Sequence, residues 1–94
     1  MHEHSPEENA RLVNRMARII GHANSIKTMI ETNRNCTEVL IQIAAVRSAL
    51  NNLGKIILAE HIEECMMDAF NSEDEDEKAE VLADLMDAIN KFVK

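Results

Sequence analysis

From Cys36 to Phe70 the chain runs without a proline and with a single glycine, and apolar residues recur through it at spacings of three and four. Val39, Ile43, Val46, Leu50, Leu53 and Ile57, followed by His61 and Cys65, mark one face; Leu40, Ala44, Leu58 and Ile62 widen it. This periodicity is that of an α-helix, and one of this length extends about 50 Å at a rise of 1.5 Å per residue. Gly54 within it costs roughly 1 kcal/mol relative to alanine. The chain of 94 residues has only two Gly and one Pro, almost no turn chemistry for a β-sandwich or barrel. The fold class is therefore all-α.

Two further helices flank the long one. Ser5-Pro6-Glu7-Glu8 reads as a helix start, with Ser5 as cap, Pro6 at the first helical position and Glu8 completing a capping box. Leu12, Met16, Ile19, Ala23, Ile26 and Ile30 then form a stripe. The predicted helices span about 6–32, 36–70 and 75–93, in one domain over 1–94. Asn33-Arg34-Asn35 breaks the first from the second, and Asn35 with Glu38 is a second plausible capping box. Asn71 to Glu77 is a short acidic linker. Two long helices with so short a connection lie antiparallel. A lone hairpin does not cover a face as wide as that of the second helix, so a second chain is the expected cover. Two three-helix protomers would then form an antiparallel four-helix-bundle dimer.

Composition narrows the function. Having no Trp, no Tyr and only Phe70 and Phe92 argues against base-stacking platforms for single-stranded nucleic acid. No apolar run approaches a membrane span, and Met1-His2-Glu3-His4 lacks the basic and apolar regions of a signal peptide. A cytoplasmic chain is expected, whose two Cys are free thiols, metal ligands or redox groups rather than a structural disulfide. The net charge of −7 is uneven: residues 1–34 sum to +1, 35–71 to −3 and 72–94 to −5. Only the N-terminal third faces an anion comfortably. There Arg11, Arg15 and Arg18 share a helical face, a row of cations for phosphates or simply a solvated face, with Arg47 a further candidate. No nucleophile-plus-base arrangement and no glycine-rich phosphate loop is present, so an enzyme is not expected.

Cys36, His61 and Cys65 carry the chemistry. His61 and Cys65 are four residues apart, one turn along one helical face, and can reach a single metal ion. Cys36 stands 25 residues before His61, about 37 Å along a helix axis, so one chain cannot close the set. In a two-fold dimer with antiparallel second helices, Cys36 of one chain meets His61 and Cys65 of the other, twice per dimer. Two thiolates and an imidazole are a soft, three-coordinate set suited to Cu(I). Zn(II) would want a fourth ligand; His4 or His2 could supply it, and would also suit Ni(II) or Co(II). Against this stands the blander reading of His61 and the cysteines as core residues. Met66 and Met67 beside Cys65 read as fillers of the bundle core ahead of thioether donors to Cu(I). Two function classes thus compete: a metal-responsive protein that binds DNA phosphates, and a metal- or thiol-binding helical protein with no DNA role.

Cys36, 24 residues, His61, three residues, Cys65 is a pattern that resembles the CsoR/RcnR/FrmR family of metal- and formaldehyde-sensing bacterial repressors, with the copper sensors nearest in ligand pattern. Arg15, Ile19 and Gly21 match its R-x3-I-x-G-Q segment, with Arg18 inside it; Met29-Ile30-Glu31 follows at the usual distance. Gln42-Ile43 with Ala45 and Ala49 is similar to its second helix. The resemblance covers residues 5–93. It implies a tetramer of two four-helix dimers, binding to double-stranded operator DNA, and release when the effector binds. It also implies Cys36, His61 and Cys65 as copper ligands, and favours a DNA role for Arg15 and Arg18. His61 argues against the family's persulfide sensors and Cys65 against its formaldehyde sensors. His4 lies near where its nickel and cobalt sensors place an N-terminal ligand. Two positions depart from the pattern: Asn35 stands where copper sensors carry Tyr, and His22 where the first-helix segment ends in Gln.

Overall fold

The structure, a computed structural model, describes residues 5–93. Within them lie three helices, α1 (Pro6–Glu31), α2 (Cys36–Asn71) and α3 (Glu75–Val93), and no strand. The bounds fall within one residue of those expected from apolar spacing. His2 and His4, the candidate auxiliary ligands, lie outside the described residues.

Local chemistry sets the helix ends. The Ser5 backbone is extended, its Oγ accepts from the Glu8 N–H at 3.1 Å, and Pro6 opens α1. At the other end Asn33 adopts φ 57°, the left-handed conformation that asparagine tolerates. The Asn33 N–H then donates to the Ile30 carbonyl at 3.1 Å and the Arg34 N–H to that of Met29 at 2.9 Å, satisfying carbonyls the helix leaves open. Asn35 caps α2, its Oδ1 accepting from the Thr37 N–H at 2.8 Å. Glu38 does not serve the capping box expected of it: its Oε2 is held by Arg34, at 3.1 Å from Nε and 3.0 Å from Nη2. The guanidinium is a charge-assisted donor and a stronger partner than a backbone N–H. Asp74 caps α3 through Oδ1 and the Asp76 N–H, at 2.9 Å. Glu75, Asp76 and Glu77 follow in the first turn, where the helix dipole favours acids. The acidic linker thereby contracts to residues 72–74.

The described residues form two compact units, divided within α2 between Leu53 and Gly54. In the first, α1 runs antiparallel to α2 as far as Leu53, around buried Ile19, Ile26 and Leu53. The second comprises α2 from Gly54 onward and α3, with Cys65 and Leu85 buried. There the Phe92 ring of α3 lies against Gly54, and a Cβ at position 54 would overlap ring atoms Cε1 and Cζ. The glycine that weakens the helix is thus the seat of an aromatic ring.

Burial in the single chain is sparse. Leu40 is 65% exposed and Phe70 89%, and Ile41, Ile43, Leu50 and Ile57 also face outward. Met66 and Met67, read above as core fillers, expose more than half of their surface in the single chain. A helix that leaves so many large apolar side chains exposed, as α2 does, belongs between other helices.

Candidate metal centre and cationic cleft

The second unit holds the thiol–imidazole pair. One helical turn places Cys65 Sγ 3.7 Å from His61 Nε2 and 3.9 Å from Nδ1. A thiolate and an imidazole bound to one ion at about 2.3 and 2.05 Å, 120° apart, would stand about 3.8 Å from each other. The two side chains therefore fit a shared ion with little rearrangement. Cys65 is only 2% exposed. Its thiol is pushed above its ordinary range first by burial, then by the carboxylates of Asp68, Glu64 and Asp84. The same three acids that oppose the thiolate also favour a cation beside it. Binding a metal here expels a proton from a reluctant thiol, which makes the affinity steeply dependent on pH.

Cys36 is placed differently. It opens α2 in the first unit, and its side chain is exposed. Among the described residues, no three His, Cys, Asp or Glu side chains of one chain converge as a metal site.

The first unit holds a cation-lined cleft of about 360 Å³ between α1 and α2. Arg15, Arg18, Ile19 and His22 line it from α1, and Ala49 and Asn52 from α2. Buried Ile19 contributes an apolar patch. The half-buried His22 is fixed by a 2.6 Å bond from Nε2 to Gln42 Oε1. Arg11 and Arg47, the other candidate phosphate contacts, are exposed on α1 and α2 and are not part of the cleft lining. His22 and Asn52 escaped the sequence reading as site residues. The departure of His22 from the family's glutamine was a signal, but its pairing with Gln42 depends on the register of α1 against α2.

A helical chain with a soft ligand pair in one unit and paired guanidiniums in the other has the parts of a metal-sensing, nucleic-acid-binding protein. The chain belongs to the metal-sensitive transcriptional repressor family, whose model matches residues 8–91. Its function class is thus a repressor of transcription. The copper-sensing transcriptional repressor CsoR of Bacillus subtilis (strain 168) is 34% identical over 90 residues, 96% of this chain and 86% of that protein. The Cu(I)-bound crystal structure of the copper-sensing repressor CsoR from Geobacillus thermodenitrificans NG80-2 aligns at a TM-score of 0.88 with 33% identity. That alignment covers 100% of this chain and 95% of the other. The nickel-responsive transcriptional regulator InrS is 45% identical, with a TM-score of 0.81 over 97% of this chain and 99% of that one. No helix among the described residues is long and apolar enough to cross a membrane.

Proposed function

We propose that this repressor senses copper in the cytoplasm, holding double-stranded operator DNA while metal-free and releasing it on binding Cu(I). The proposed ligands are Cys36 of one chain with His61 and Cys65 of the partner subunit. The observation that carries this reading is the buried Cys65 thiol set at ligand separation from the His61 imidazole. Two sulfurs and one nitrogen suit a soft monovalent ion, and likeness to two copper-sensing repressors supports the same choice. Because the three ligands are spread along one helix, closing the set takes two chains. An antiparallel pairing of α2 helices does this, and it covers the apolar surface that the single chain leaves open. Two such dimers form the proposed tetramer. Arg11, Arg15, Arg18 and Arg47 are its proposed contacts to DNA phosphates.

A second reading, Ni(II) as effector, is favoured by the 45% identity with the nickel-responsive regulator. It would recruit His4 as an added ligand. X-ray absorption on the loaded protein, with operator binding measured beside it, separates the two. Three-coordinate copper with two sulfurs and one nitrogen, together with loss of DNA, is the expected result. A planar or six-coordinate nickel site, with DNA indifferent to Cu(I), would transfer the protein to the nickel sensors.

A further inference from the structure

The thiol–imidazole pair sits in an acidic field. Between Lys55 and Lys78 the chain carries nine acids and no Lys or Arg. Two of those acids are in register with the ligands. Glu64 follows His61 by three residues and Asp68 follows Cys65 by three, so each lies one turn further along the same face of α2. A third acid, Asp84, comes from α3, next to buried Leu85. All three act on the Cys65 sulfur, where burial has the largest effect and the carboxylates add to it. Asp68 and Asp84 are exposed in the single chain, so water screens them. Glu64 is half-buried and its Oε2 is shut off from solvent, which leaves its charge less screened.

Donor softness and charge pull in opposite directions at this centre. Two sulfurs and a nitrogen prefer Cu(I). A carboxylate that does not touch the ion attracts it in proportion to the ion's charge. For the same protons released by the ligands, a dication leaves the site one unit more positive than Cu(I) does. Each nearby acid therefore favours the dication over copper by its interaction with one full charge. We infer that Glu64, Asp68 and Asp84 are selectivity residues of the metal centre, carboxylates that narrow the preference of its sulfur ligands for Cu(I) and admit a divalent ion of the Ni(II) class. The inference deepens the reading above and rests on Cys65 and His61 as ligands, whichever ion is the effector.

The test measures the Cu(I) and Ni(II) affinities of the full chain by chelator competition at a single pH, for the wild type and for Glu64→Gln, Asp68→Asn and Asp84→Asn. The quantity read is the ratio of the two affinities. Each amide should move that ratio toward copper by about threefold to tenfold, the scale of one partly screened charge several ångströms from the ion. Asp84→Glu, which keeps the charge, should leave it in place. Damage to packing weakens both ions alike, so the ratio isolates the effect of charge. Added salt should also move the wild-type ratio toward copper, because it screens the acids. If the wild type binds both ions and the ratio is unmoved in all three amide variants, the inference falls and the metal centre stands. If the wild type takes up neither ion, Cys65 and His61 are not the ligands and both readings fall. A hundredfold loss of Ni(II) confined to one variant, with altered charge-transfer absorbance, would make that carboxylate a ligand and overturn a field acting from outside the coordination sphere.

Discussion

Up to Leu53 the chain carries six bases and five acids; from Gly54 on it carries four bases and twelve acids. The two units also differ in what their helices enclose. The first surrounds a cleft with guanidiniums and keeps its core aliphatic, whereas the second buries a thiol among carboxylates and places an imidazole against it. The proposed phosphate contacts lie in one unit and the thiol–imidazole pair in the other, although both units share the residues of a single helix, α2. The contrast teaches that the net charge of −7, which on its face argues against DNA, falls on the second unit, while the first is close to neutral.

That division can be broken or sharpened by substitution, and the largest effect belongs to the thiol. Cys65→Ser should weaken Cu(I) on the order of a hundredfold or more, because a hydroxyl is a poor ligand for a soft ion. A competition titration with a copper chelator measures it, and metal-free duplex affinity should stay as it was. Equal losses of copper and DNA would dissolve the distinction between the units.

Next is the packing of the second unit. Gly54→Leu should cost about 2 kcal/mol in urea unfolding, since the added side chain meets the Phe92 ring. In a Phe92→Ala background, Gly54→Ala should instead stabilise by about 1 kcal/mol, the ordinary helix-propensity gain. A loss in both backgrounds would show that the ring is not what the glycine accommodates.

In the first unit, Arg15→Ala and Arg18→Ala should each weaken duplex binding several-fold at low salt. Each should also lower the salt dependence by about one unit for every phosphate contact removed. Gel-shift titrations over a salt series provide both quantities, and copper affinity should not move. Unchanged duplex affinity in both variants returns these arginines to an ordinary solvated face.

The smallest effect is electrostatic. Asp84 holds the Cys65 thiol up from α3, behind burial, Asp68 and Glu64. Asp84→Asn in a Cys36→Ser background should therefore lower the pH at which thiolate absorbance appears. The sign follows from the neutral thiol: removing a nearby negative charge favours the thiolate, so the midpoint moves down. A midpoint that stays fixed would leave burial and the same-helix acids as the whole cause.

Much of this architecture was legible in the sequence. Apolar residues at spacings of three and four, bounded by Ser5-Pro6 and by Asn33, located α1 to within a residue, because caps and left-handed asparagine act locally. His61 and Cys65 were legible as a pair for the same reason, as four residues make one turn. Contacts that depend on two helices were not. Glu38 was assigned to the Asn35 cap when Arg34 was the better partner. Nothing in the order of residues joined His22 to Gln42, or Gly54 to Phe92, since both contacts await the docking of one helix on another. Gly54 in particular read as a weakness when considered within its own helix.

The seat of Phe92 on Gly54 also sets an order on how the chain can evolve. Every residue that replaces a glycine brings at least a Cβ, so drift at position 54 is opposed while the ring keeps its place at position 92. Once the ring has been lost, that drift becomes harmless or even favoured by helix propensity, and a side chain gained at 54 then bars the ring from returning. The two sites behave as a ratchet, passable first at 92 and only afterwards at 54.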